Sequence, residues 1–445
     1  MTQKNQQNGR TIAIVTMIVI FAMISFVTNL AAPIGVIWKG QPGIEGSNFL
    51  GMMGNMMNFL AYLFMGIPAG KMLVKFGYKK TALAAIAVGF LGVFIQFLSG
   101  IVGVGATLFS LPLNFFVYLL GAFVAGFSVC MLNTVVNPML NLLGGGGNKG
   151  NQLIQIGGTF NSLSGTLTPM FVGALVGTVT AQTAITDVNP VLFVAMGVFA
   201  VAFIILSFIP IADPDADKKA GKEVVYERSP WAFRHFVLGT IAIFVYVGVE
   251  IGIPGTLNFF LSDVDPSKGA GLDPASAATI GGFVAGTYWF LMMIGRFLGS
   301  LVGAKVSSKT MLTFASGLGA LLVLLAIYLP KTILVSMPVF TGSAFDMVQV
   351  PIAALLLVLC GLCTSIMWGG IFNLATEGLG KYTAAGSGIF MMMVVGGGVL
   401  PLIQNWVADL SGYMTSYWVI IAGMVYMLYY ALIGSKNVNK DIPVD

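Results

Sequence analysis

Of sixteen acidic side chains, only Glu250 stands well inside an apolar run, one helical turn after Tyr246 and one turn before Pro254. A carboxylate removed from water has to be neutralised by a proton, a metal cation or a paired base. Glu250 is therefore a candidate to exchange protons, or to ligate sodium together with carbonyls loosened around Pro254. A purely cohesive bond to a tyrosine or an amide is the plain alternative.

A second set of side chains could bind a solute. Asn133, Asn137 and Asn141 recur at i, i+4 on one helix face, and Gln155, Thr159, Ser162 and Thr166 form a stripe with Asn161 beside it. Asn55, Asn58 and Tyr62, then Ser25, Thr28 and Asn29, then Trp368 and Asn373 add to them. An amide both donates and accepts hydrogen bonds, as the hydroxyls of a neutral polyol do, and an aromatic ring packs against the C–H face of a sugar. The same polar residues also glue apolar helices together, so position alone separates the two roles. Arg296 is the one basic residue that could enter a bundle, and its place near the cytoplasmic end of its run makes it a latch residue. The expected site then holds no cation, which favours a neutral substrate over an anion.

These side chains can meet only if apolar helices bring them together. The chain has 445 residues, 57% hydrophobic and 8% charged, with a mean hydropathy of +0.93. Soluble domains carry about 25% charged residues, so soluble enzymes, nucleic-acid binders and secreted disulfide scaffolds are excluded. The net charge of +5 comes from basic residues scattered over short loops, with no run to track a phosphate backbone. Cys130, Cys360 and Cys363 lie in apolar runs and read as core residues.

Apolar runs fall at about 11–37, 48–73, 81–101, 113–143, 152–178, 189–211, 235–262, 275–303, 310–336, 350–376, 384–408 and 415–434. With the N-terminus in the cytoplasm, only Lys39, Lys268 and Lys331 of the 21 Lys and Arg fall outside, which places both termini inside. The polar stretch 212–234 divides the chain into a bundle at 1–211 and another at 235–445, and is read as a cytoplasmic linker. A repeat supports this division: Gly, Lys, Thr and Leu of the segment Gly70–Leu83 recur in Gly299–Leu312 at an offset of 229. Two parallel six-helix repeats make an all-α transporter architecture, with a substrate site between the halves near the midplane.

The loop with Gly70, Lys75, Gly77, Lys79 and Lys80 resembles the signature loop of the major facilitator superfamily, with Val74 where the family commonly has an acid. The segments 133–138 and 159–165, the run 365–374, the glycines around 386–398 with Pro401, Asp409 before Gly412, and Tyr246 to Glu250 resemble the L-fucose permease and glucose/galactose transporter group. The resemblance implies twelve transmembrane helices in two pseudo-symmetric bundles and cation-coupled import of a hexose such as glucose, galactose or fucose. A drug exporter of the same fold and an uncoupled sugar facilitator are the alternatives. It also implies a monomer in the inner membrane, in contact with sugar and bilayer and with no nucleic acid. No cofactor is expected beyond a coupling ion, Na+ or H+. The group's proton-site acids fall on Ala32 and Asn133 in this chain, and its helix 5 glutamine on Gly158, which turns attention to Glu250. The expected substrate-binding residues are Asn29, Asn58, Asn133, Asn137, Gln155, Asn161, Tyr246, Trp368 and Asn373. Gly70, Lys75, Gly77, Lys79, Lys80 and Arg296 are the expected gating residues.

Overall fold

The computed structural model describes residues 3–144, 147–176, 183–209, 228–302, 306–340, 344–439 and 442. Most of the linker expected at 212–234 lies outside them. Twelve long helices dominate: α1 Gln3–Trp38, α2 Asn48–Leu73, α3 Lys75–Leu98, α4 Leu113–Leu143, α5 Gly147–Val176, α6 Asn189–Phe208, α7 Arg234–Ser262, α8 Ala277–Val302, α9 Ser308–Tyr328, α10 Ile352–Thr376, α11 Gly388–Ser411 and α12 Tyr413–Gly434. Among the described residues, eleven of these are long and apolar enough to cross a membrane. The twelfth, α5, has the length but carries Thr159, Asn161, Ser162, Ser164, Thr166 and Thr168, a load that suits a helix facing protein rather than lipid.

Helices α2 and α3 run on through Gly77, whose φ of 81° and ψ of 174° break the helix in the signature loop. A side chain is strained at such a φ, which is why glycine stands there. Next to it Lys79 donates to the carbonyl of Ser207, near the end of α6, at 2.8 Å. In the second half Lys309 does the same for Leu432 near the end of α12 at 3.1 Å, so the repeated loop performs one task twice: a cation satisfies the last carbonyls of the sixth helix in each bundle. Gly70 has open space around its Cα, and Lys75 and Lys80 are exposed, with the Lys75 ammonium 5.4 Å from the Phe76 ring.

Two antiparallel hairpins interrupt the helical pattern: β1 Thr107–Leu108 with β2 Leu111–Pro112, and β3 Leu334–Phe340 with β4 Phe345–Pro351. In β3 burial alternates, with Met337 and Val339 inside and Ser336 and Pro338 outward, a period of two that belongs to a strand and not a helix.

Within each half, helices approach through small residues. A methyl group on Gly126 of α4 would stand 2.1 Å from the Asn58 carbonyl oxygen of α2. Gly126→Ala is therefore expected to force α2 and α4 apart at an overpacking cost of about 1–3 kcal/mol. A thermal unfolding midpoint in detergent equal to that of the parent would refute this.

The halves meet along two seams. In one, α5 packs on α8: a Cβ on Gly286 would lie 3.0 Å from the Thr166 carbonyl oxygen, and one on Gly165 would lie 3.3 Å from Trp289. In the other, α2 packs on α11: Asn55 Nδ2 donates to the Gly397 carbonyl at 2.8 Å, and a Cβ on Gly66 would crowd Met392 at 2.7 Å. Here α11 is loosened by a 3₁₀ turn at Met393–Val395 just before Gly396–Gly398.

Candidate functional site

Between the seams lies a small cavity, lined by α1, α2 and α5 of one half and by α7 and α8 of the other. Its polar lining is Thr28, Asn29, Asn55 and Asn258, and its aromatic wall is Trp289. Asn29 commits its amide N–H to the Ser25 carbonyl and hydroxyl at 2.8 and 3.0 Å, and Asn55 commits its own to Gly397. Both offer a ligand a carbonyl oxygen, and Asn55 also its second N–H. Asn258 accepts from the Ser262 hydroxyl at 3.3 Å and so keeps its N–H donors. Amide acceptors, amide donors and an indole face in one space suit a molecule whose hydroxyls both give and take hydrogen bonds.

The end of the cavity nearest Asp409, external on the reading that the basic loops face the cytoplasm, is shut by side chains from both halves. Asp409 at the end of α11 accepts from the Asn48 and Phe49 backbone N–H groups at 2.8 and 2.9 Å and from the Ser47 hydroxyl at 3.1 Å. A carboxylate of one bundle thus caps the first turn of α2 in the other, where the helix dipole favours it. Beside it Lys39 donates to Asn48 and, at 3.1 Å, to the Tyr413 hydroxyl, and its ammonium lies 4.6 Å from the centre of the Phe259 ring. The Tyr413 hydroxyl also reaches Asp263 at 3.1 Å and Asn48 at 2.9 Å. Burial pushes the Lys39 ammonium down to about 8, against the opposing pull of Asp263 and Asp409.

Below the cavity, two turns further along α8 from Trp289, sits Arg296. Its Nη2 lies 3.4 Å from Glu250 Oε1, and its Nη1 donates at 2.9 Å to both the Gly158 carbonyl and the Ser162 hydroxyl of α5. Its place near the end of α8 is the one expected for Arg296, but its partners on α5 and α7 were not foreseen. The long side chain turns inward, because a carboxylate buried on α7 without a counter-charge would be costlier than the pair. Arg296 does not line the cavity, and Glu250 balances its charge. Gly158 takes part: with no side chain there, the guanidinium rests directly against α5. Tyr246 donates to the Thr364 carbonyl at 3.0 Å, and the Tyr288 hydroxyl pairs with the Thr364 hydroxyl at 2.7 Å, so α7 and α8 both lean on α10 next to the ion pair.

The other expected residues separate by role. Asn29 lines the cavity. Asn133 donates to the Tyr62 hydroxyl at 2.7 Å, Asn137 to the Asn133 carbonyl at 3.1 Å, and Asn161 to the Phe21 carbonyl of α1 at 2.8 Å, all within the first half. Asn58 is buried between α2 and α4. Trp368 packs edge-on against Tyr246 at 6.2 Å. Asn373 is exposed, with only a 3.5 Å bond to Ser308 to hold it, too far along α10 to face the cavity. The Gln155 side chain lies outside the described residues. Two cavity residues escaped the sequence reading, Asn258 and Trp289. The signal was present in both: an amide one turn after Pro254 in an apolar run, and a lone indole in the following one.

The Major Facilitator Superfamily pattern matches residues 12–401. A glucose/galactose transporter of Brucella abortus is 30% identical over 450 residues, covering 98% of this chain and 97% of that protein. The L-fucose-proton symporter of Escherichia coli is 24% identical over 381 residues, 80% of this chain and 77% of its own. The crystal structure of the E. coli fucose:proton symporter superposes with a TM-score of 0.67 at 16% identity, covering 96% of this chain and all of that one. With the pattern spanning most of the length and a relative aligned end to end, the chain belongs to the Major Facilitator Superfamily and is a multi-pass membrane transport protein, not an enzyme.

Proposed function

We propose that this protein imports a neutral hexose such as glucose or galactose by alternating access, coupled to H+ or Na+ at Glu250. The observation that carries the reading is the cavity between the halves, where Asn29, Asn55, Asn258 and Trp289 supply acceptors, donors and a stacking face. The full-length relation to a protein named glucose/galactose transporter agrees with it. Asn58, Asn133, Asn137 and Asn161 act in this scheme by bracing the first bundle around the cavity, and Tyr246 and Trp368 by bracing Glu250. The protein works as a monomer in the cytoplasmic membrane with both termini inside, since the basic loops fall on one side.

Counterflow of labelled glucose in proteoliposomes tests the reading, because exchange needs alternating access but no gradient. A signal competed by galactose is expected. No signal with glucose, galactose, mannose or fucose from folded protein would overturn it, and a response to lipophilic cations instead would favour a drug exporter of the same fold.

A further inference from the structure

We infer that Arg296 is the positioning residue that converts the protonation state of Glu250 into contact or separation of the two halves, and that the coupling ion is accordingly a proton. The inference rests on the reading above that Glu250 carries the coupling charge. Arg296 belongs to α8 of the second half, yet one of its nitrogens faces Glu250 of α7 and the other holds the Gly158 carbonyl and Ser162 hydroxyl of α5 in the first half. Among the described residues, this guanidinium is the one cation that bridges the halves inside the membrane-spanning region.

The side chain is held in that position by charge. Glu250 is 8% exposed, and Arg296 is the cation paired with it. The titratable groups facing the carboxylate are Arg296 and Tyr288 from α8 and Tyr246 from its own helix; α5 offers only the neutral Gly158 and Ser162, and α10 offers Thr364. A proton that binds a Glu250 oxygen cancels the attraction and leaves a guanidinium uncompensated in a region of low dielectric. Arg296 must then turn toward water at the nearby cytoplasmic end of α8, and both its bonds to α5 break as it leaves. When the proton departs from the same oxygen, the pair and the bridge re-form. A metal cation does not fit the same place, since at Oε1 it would face a guanidinium nitrogen 3.4 Å away.

The bridge is placed to communicate with the substrate site. Arg296 and Trp289 are seven residues apart on one face of α8, about 10 Å along the axis, and Gly165, opposite Trp289, lies two turns above Gly158 on α5. Asn161, between them, ties α5 to α1 through the Phe21 carbonyl, so a shift of α5 is passed to the helix that carries Thr28 and Asn29.

The test uses the full chain without sugar. Cysteines replacing Ile156 of α5 and Leu298 of α8, which are 43% and 50% exposed, take spin labels, whereas the native Cys130, Cys360 and Cys363 are buried. Pulsed dipolar distances in nanodiscs should show a separated population that grows severalfold as the pH is lowered. Glu250→Gln should show that separated population at every pH, and Arg296→Gln should lose the pH response as well. Tyr288→Phe, which removes a bond to Thr364 without touching the charges, should keep it. A parent whose distances ignore pH, or a Glu250→Gln protein that still responds to it, overturns the inference. Because no sugar is present, either result leaves the hexose reading untouched, and absent counterflow in its own assay would not affect this one.

Discussion

Trp289→Ala is expected to weaken hexose binding by about ten- to a hundredfold, the loss of roughly 1.5–3 kcal/mol of buried aromatic contact. The indole is 6% exposed and forms the wall of the cavity between the halves, edge-on to Tyr288 at 5.4 Å. Trp289→Phe should recover most of the affinity, since a smaller ring still presents a face to the sugar. Asn258→Ala should add a comparable but separable defect. It removes one of the cavity's side-chain donors and leaves a substrate hydroxyl unpaired, at about 1–3 kcal/mol. Half-saturation of glucose counterflow reads both. If Trp289→Ala exchanges glucose with parental half-saturation, the sugar does not bind in this cavity.

The second large effect concerns the external gate. Asp409→Ala removes an acceptor from two backbone N–H groups and one hydroxyl across the interface between bundles, so α2 keeps its own Ser47 cap but loses the capping carboxylate of the other bundle, and the closed external end loses three polar ties. By analogy with helix caps and charge-dipole contacts, the closed state should lose on the order of 2–3 kcal/mol. That corresponds to a shift of roughly 30- to 150-fold toward external opening. Met52 lines the cavity, so Met52→Cys should react slowly with an impermeant external thiol reagent in the parent background and much faster once Asp409 is gone. Equal rates would show that the trans-cap does not hold the gate.

The same gate should respond to pH, with a sign fixed by Lys39. In the closed state burial lowers this ammonium to about 8, whereas a hydrated lysine titrates near its ordinary 10.5. The open, hydrated state therefore binds the proton more tightly, and raising the pH through about 8 favours closure. After correction for the reagent's own pH dependence, labelling of Met52→Cys should slow over that range, and Lys39→Gln should abolish the trend.

Much of this protein is legible in its sequence. Apolar length and the 229-residue offset between Gly70 and Gly299 determine the helices and the duplicated design, because each is a local or periodic property of the chain. The duplication recurs in three dimensions as Lys79 and Lys309 capping equivalent helices. Glu250 as the one deeply placed carboxylate was also legible, since burying an acid in an apolar run is too costly to be incidental.

What the sequence left open is which of many polar side chains meet. Asn133, Asn137 and Asn161 sit at the same helical spacing as a binding stripe, yet their donors turn to Tyr62, to their own helix and to α1. Asn258 and Trp289 come to share a cavity with Asn29 and Asn55 only because α7 and α8 cross α1, α2 and α5 at that level. The partner of Arg296 was missed for the same reason. Periodicity gives the height of a side chain on its helix, but the reach of a long flexible arm is set by the nearest unpaired charge, and Glu250 is brought beside it by the packing of α7 against α8. Helix identity follows from local hydrophobicity, whereas the partners of a buried polar group follow from which helices pack together and where along their length they cross.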